Sequence, residues 1–316
     1  MEGTLGMKAL RVLHESLVED EEIDALGHMN VRHYGRRALA STEKLLVDAG
    51  LIGQTVGGDN EGALVHDLPR LYTRYHREQL AGARLEVHGG ILSVDADGIR
   101  IYHELVNPER KEVAATFVQD VVFREAESNQ AVEIADSVRK ELTQARIEWP
   151  AHGRSRSIDL DAPPVTLSVK DALESGLAFR KERRIAAADC DPEGRVGADM
   201  RPFLMWGGEP IDPGPEGPPV FDLPDGGRMG LASAETRSVM VEQPMAGMRI
   251  QSFAATVELA RKTNLRRYWV FDLDTGRLLL ANEVVELALD LDKRCAIDIP
   301  DEMRERFAAT ARFDLR

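Results

Sequence analysis

Two cysteines in 316 residues, Cys190 and Cys295, are too few for a disulfide framework and have no paired metal-ligand spacing. A reducing compartment is the expected setting. No apolar run approaches the roughly 20 residues a helix needs to cross a bilayer, so no membrane segment is expected. Residues 1–8 lack a basic region followed by an apolar stretch, so nothing there reads as a secretory signal. A cytoplasmic location is the expectation. Positive charge is in deficit: 40 Lys and Arg against 54 Asp and Glu give a formal charge of -14. That argues against a general nucleic-acid binder, whose phosphate affinity rests on cations. Aromatics are sparse at 5%, yet 43% hydrophobic and 30% charged residues is the balance of a globular chain rather than a disordered one.

What the chain does contain is a signature written twice. Asp24-Ala25-Leu26-Gly27 and Asp191-Pro192-Glu193-Gly194 are both Asp-x-x-Gly, 167 residues apart, each where an extended segment gives way to a helix-like one. Length alone sets a prior of about two domains. The first copy reads as a strand within 7–19, a loop, then a helix from Val31 with Tyr34, Ala38, Thr42, Leu45 and Ala49 at helical spacing, stopped by Gly50 and Gly53. A Gly-rich loop over 53–62 follows. Strand-like runs at 70–78, 84–94, 99–106 and 112–124, separated by Asp97-Gly98 and Asn107-Pro108, predict an antiparallel meander. The second copy repeats the order with a strand at 179–187, a helix-like piece near 200–206, a Pro/Gly-rich loop over 207–219, and strands at 234–241, 249–258, 267–273 and 278–289. Fainter echoes 165 residues apart, such as Ile134-Ala135-Asp136 and Ile299-Pro300-Asp301, support the alignment. The predicted division is 7–148, a linker at 149–164 with Pro150, Gly153, Pro163 and Pro164, and 165–316. A helix followed by a curled antiparallel sheet packs with the sheet around the helix. The expected class is therefore α+β, two tandem units forming an internal pseudo-dimer.

The stretch Asp24-Ala25-Leu26-Gly27-His28-Met29-Asn30-Val31-Arg32-His33-Tyr34 resembles the Asp-x-x-Gly-His-x-Asn-x-x-x-Tyr motif of the hotdog acyl-CoA thioesterases of the 4-hydroxybenzoyl-CoA type. Tyr75 to Val87 is similar to that family's strand before a Gly-rich turn. The resemblance implies a double hotdog, each half an antiparallel sheet wrapped around a long central helix, acting on acyl-CoA or acyl carrier protein. A homodimer of such chains is possible. No metal or redox cofactor is indicated. The same fold also hosts dehydratases and ligand-sensing domains, so a hydratase or dehydratase and a non-catalytic acyl-ligand binder stand as alternatives.

A thioester carbonyl needs a nucleophile or activated water, and donors for the developing oxyanion. Asp24 is the candidate base or nucleophile. N–H groups from Gly27 to Asn30 are candidate oxyanion donors, with His28 or Asn30 adding a side chain. Gly27, Tyr34 and Asp191 are candidate substrate contacts. Each also has a plainer reading. Asp24 is a turn former, His28 a loop-closing polar residue, Asn30 a helix cap, Tyr34 core packing and Glu43 a solvated helix residue. In the second copy Arg195 stands where His28 would, and Gly197 where Asn30 would, which makes Asp191 more a turn residue than a working acid. Cys190 reads as a small buried residue rather than a nucleophile, having no histidine near it in sequence. Arg32, His33, Arg36 and Arg37 form a basic cluster that is either a solvated helix face or a contact for a phosphorylated carrier.

Overall fold

Strand β1 (Arg11–Leu17) leads through a 3-10 turn, Asp20–Glu22, into helix α1 (Val31–Asp48). The structure is a computed structural model that describes residues 9–24, 27–52, 64–125, 130–179, 182–206, 209–210, 220–223 and 226–316. The expected loop at 53–62 falls outside them, as does most of the one at 207–219. The chain divides into two compact units between Arg154 and Ser155.

Helix α1 buries Tyr34, Arg37, Ala38, Ser41, Thr42, Leu45 and Leu46. These fall at i, i+3, i+4 and i+7 intervals and make one face. Four of the five positions picked out by spacing are in this set; the fifth, Ala49, is the C-cap, and Gly50 follows at φ +69°. The sheet beneath comprises β2 (Leu64–Tyr75), β3 (Arg84–Val94), β4 (Gly98–Asn107) and β5 (Glu112–Glu125), antiparallel in the order β1-β3-β4-β5-β2. Helix α1 lies against β1, β3 and β4. Val18, Met29, Tyr34, Ala38, Leu85, Val87, Leu105 and Phe117 form the core at the start of the helix. A second helix, α2 (Asp136–Gln144), closes the unit.

One buried group breaks the apolar pattern. His103 on β4 is fully buried, with Nε2 2.8 Å from Thr42 Oγ1; that hydroxyl also bonds Gln119 Oε1. Nδ1 has no partner. A Cβ at position 89 would stand 2.2 Å from it, so the ring fits because residue 89 is glycine.

The second unit contains α3 (Val169–Glu174), the short strands β6 (Ala178–Phe179), β7 (Arg183–Arg184), β8 (Glu209–Pro210) and β9 (Val220–Asp222), the long strands β10 (Arg228–Met240), β11 (Arg249–Leu259), β12 (Thr263–Asp272) and β13 (Leu278–Asp290), then β14 (Cys295–Ala296) and α4 (Asp301–Ala309). Its order is β10-β13-β12-β11-β7-β8, with β6 also on β11, β9 on β10 and β14 on β13. The long central helix expected in each half has no counterpart here among the described residues. The chain makes a 3-10 turn at Arg201–Phe203 instead. Pro202 lacks the N–H a longer helix would use, and Gly207-Gly208 follows with poor helix propensity. The expected strand at 179–187 is likewise reduced to β6, β7 and a 3-10 turn at Ala187–Asp189.

Main-chain bonds recur between the two units at the offsets the sequence echoes suggested. Val18 N–H donates to Ala83 O at 3.0 Å, and Ile185 N–H to Met248 O at 3.0 Å. Ile134 N–H donates to Ala96 O at 3.0 Å, and Ile299 N–H to Arg261 O at 3.0 Å. Both isoleucines are buried.

The segment with linker composition is packed rather than loose. On the first unit, Arg74 Nη1 donates to His152 O and Arg154 O, both at 3.0 Å, and Gly153 sits against the Tyr102 ring. On the second, Arg237 donates to Ala162 O and, just past the segment, Trp269 Nε1 donates to Val165 O at 2.8 Å. Among the described residues no helix is long and apolar enough to cross a membrane.

Burial lowers the His103 pKa from 6.5 to about 3. Unfolding restores a group that binds a proton below pH 6.5, so the unfolded state gains protons that the folded state refuses. Stability is therefore whole above pH 6.5 and falls as pH drops toward 3, by about 1.4 kcal/mol per unit from this group. Urea denaturation at pH 7 and pH 5 is expected to show that loss, and His103→Gln is expected to flatten it.

Candidate active site

Residues 20–30 fold back on themselves before α1 begins. Asp24 N–H donates to His28 O at 2.9 Å and Gly27 N–H to Asp24 O at 3.0 Å, while Ile23 and Met29 form an antiparallel bridge. The reversal needs a left-handed residue, supplied by Gly27 at φ +82°. Two more bonds fix the loop, one from outside and one within it: Met29 N–H to Gln79 O at 2.7 Å and Asn30 N–H to Glu22 O at 2.8 Å. Glu22 is gripped by Arg37, whose Nη1 and Nη2 reach its carboxylate at 3.0 and 2.7 Å. Partial burial pushes the Glu22 carboxyl up, but the hydrogen bonds and charge of Arg37 outweigh it and hold it below its usual value.

This loop puts Asp24 and His28 together. His28 Nδ1 lies 3.4 Å from Asp24 Oδ2 and 3.4 Å from Met29 O. Nε2 lies 3.5 Å from Glu78 Oε1. The imidazole thus stands between two carboxylates whose solvent exposure increases outward: Asp24 is 23% exposed, His28 15% and Glu78 44%.

The other predicted residues take structural places. Asn30 is the N-cap of α1, its Oδ1 accepting from Arg32 N–H at 3.0 Å. Tyr34 is buried, not open to a ligand: its hydroxyl donates to Arg77 O at 3.2 Å and accepts from Gln79 N–H at 3.0 Å. Burial pushes its phenol pKa well up. By bonding both neighbours of Glu78, Tyr34 fixes where that carboxylate sits. The N–H run expected to serve as oxyanion donors is mostly engaged, with Gly27, Met29 and Asn30 each bonded to a carbonyl. Within that run, among the described residues, the His28 N–H keeps no acceptor. Arg37, grouped by sequence with the basic cluster, is buried and bound inward; His33 stands 3.2 Å from Glu22.

The second unit keeps the loop and changes its side chains. Asp191 N–H donates to Arg195 O at 2.9 Å, Gly194 N–H to Asp191 O at 2.9 Å, and Gly194 has φ +79°. Here the carboxylate is tied up: Arg195 N–H reaches Oδ1 and Arg195 Nε reaches Oδ2, each at 2.8 Å. Slight burial pushes Asp191 up, and the bonds and charge of Arg195 more than offset it, so the carboxyl lies below its ordinary value. Cys190 packs at the edge of the core formed by Ile185, Val196 and Met200, and burial with Asp189 and Asp191 alongside pushes its thiol up.

The architecture can now be placed among known proteins. The 12:0-ACP thioesterase from Umbellularia californica matches with a TM-score of 0.62 at 12% identity, over 87% of this chain and 93% of that one. The fold is that of the hotdog thioesterases. An acyl-ACP thioesterase from Bacteroides thetaiotaomicron matches with a TM-score of 0.60, also at 12% identity, over 86% of this chain and 96% of its own. In sequence, residues 18–142 match the family model of the thioesterase-like superfamily, which includes the whole Asp24 loop. No curated protein matches the chain in sequence.

Glu78 is the residue that sequence reasoning passed over. It stands in the quoted stretch from Tyr75 to Val87, but no local spacing ties it to His28; long-range bonds such as Met29 N–H to Gln79 O bring the segments together. Removing the Tyr34 hydroxyl leaves the buried Gln79 N–H without its acceptor, which costs roughly 1–3 kcal/mol. Tyr34→Phe is expected to lose about that much stability in urea denaturation at pH 7.

Proposed function

We propose that the protein hydrolyses an acyl thioester carried by CoA or by acyl carrier protein, using the site built around Asp24. The observation that carries this reading is the closed loop that sets the Asp24 carboxylate 3.4 Å from His28 at the start of α1. The thioesterase-like match over residues 18–142 and the hotdog fold support it. As general base, Asp24 takes a proton from water whose oxygen bonds the carbonyl carbon; as nucleophile, it bonds that carbon itself and water releases the acid. Either way the C–S bond breaks, and the thiolate leaves and takes a proton from the newly formed carboxylic acid or from solvent. The His28 N–H, in the same loop as the Asp24 carboxylate, supplies an oxyanion donor. The chain on this reading is a tandem duplicate with one principal site, the second loop having spent Asp191 on Arg195.

A second reading, an acyl-ligand binder without turnover, draws on the engagement of Gly27, Met29 and Asn30 N–H groups, which leaves the oxyanion thinly served. Thiol release from short, long and aromatic acyl-CoAs and from an acyl carrier protein thioester separates the two. Release is expected from some of these, with Asp24→Asn lowering kcat/KM by about a hundredfold or more. No release from any substrate would reject hydrolysis; full activity in the variant would reject Asp24.

A further inference from the structure

We infer that Glu78 is the outer end of a proton relay that runs from Asp24 through His28 to solvent. The inference rests on the hydrolytic reading above. Hydrolysis of a thioester to a carboxylate and a thiol sets one proton free for every bond cleaved, and a base that has taken that proton must lose it before the next turnover. Asp24 is mostly covered, and one of its oxygens faces His28 Nδ1 at 3.4 Å. The far nitrogen, Nε2, faces Glu78 Oε1 at 3.5 Å, and Glu78 is the most exposed of the three.

With the imidazole protonated at Nε2, Nδ1 presents its lone pair toward Asp24. The proton taken from water passes from Asp24 to Nδ1, the Nε2 proton passes to Glu78, and Glu78 gives it to bulk water; the ring then returns to its starting tautomer by exchange with solvent. One proton enters at Asp24 and one leaves at Glu78, with no electron transfer. Met29 O, also 3.4 Å from Nδ1, is an acceptor for the ring in its other tautomer. The distances are those of a site without substrate, in which such contacts are commonly long and shorten on binding.

Tyr34 makes the arrangement specific rather than casual. Its hydroxyl holds Arg77 O and Gln79 N–H, on either side of Glu78, so the carboxylate is delivered to Nε2 by a fixed backbone. Glu78 touches no reacting atom on this account, and it acts through His28.

The test compares wild type, Glu78→Gln and Glu78→Asp in thiol release, at low and high imidazole buffer and constant ionic strength. Glu78→Gln is expected to lower kcat about tenfold or more while leaving KM within about twofold, because proton departure becomes limiting. Added imidazole is expected to restore kcat by carrying the proton away, and Glu78→Asp to keep most of it. A Glu78→Gln enzyme with wild-type kcat, or with a loss that imidazole does not relieve, overturns the relay while leaving hydrolysis standing. Absence of thiol release in the wild type overturns the hydrolytic reading and the relay with it.

Discussion

One buried guanidinium, that of Arg37, holds the approach to the helix. Its Nε donates to Ser16 Oγ at 2.8 Å, Nη2 to Leu17 O at 2.7 Å, Nη1 to His33 O at 3.1 Å, and the two Nη atoms together to Glu22. A cation taken out of water is costly unless every proton finds an acceptor, and breaking such a pair typically costs 3–5 kcal/mol. The end of β1, the 3-10 turn and the first turns of α1 are therefore bound to a single group. From Glu22 the constraint passes to Asn30 N–H, and from there to the loop that carries Asp24 and His28. The placing of Asp24 beside His28 thus depends on an ion pair in which neither residue takes part.

Most of the first unit was legible in the sequence because its signals are local. The spacing of Tyr34, Ala38, Thr42 and Leu45 defines α1, and Gly27 marks the left-handed turn that closes the loop. Strand β3 occupies the residues its alternation predicts, 84–94. Arg37 could not be told from Arg32 and Arg36 by sequence, since a run of cations looks the same whether it faces water or the interior. Nor could Glu78 be connected to His28, because the connection is a strand end meeting a loop from 50 residues away. In the second unit, residue-level reading gave a short helix-like piece near 200–206, and family resemblance lengthened it; Pro202 and the glycines after Trp206 were the better guide.

The interior of the first unit shows the same separation between what patterns reveal and what packing decides. His103 lies in a strand whose alternation marks it as inward, yet nothing in the pattern says that it is neutral or that Gly89 gives it room. Thr42, legible only as a helix-face residue, turns out to be the partner that makes the buried imidazole tolerable. A polar residue inside a sheet is read correctly only when its partner, here 61 positions earlier in the chain, is known.

The repeated loop bears on how such signatures should be weighed. The reversal is made in both units by the same main-chain bonds, joined in the second by Arg195 N–H to the Asp191 carboxylate, and in each a glycine stands at positive φ. Arg195 stands where His28 does, and the reversal is the same in both units. An Asp-x-x-Gly signature therefore testifies to backbone shape. Whether a given copy still does chemistry is written in the residues that the loop does not need.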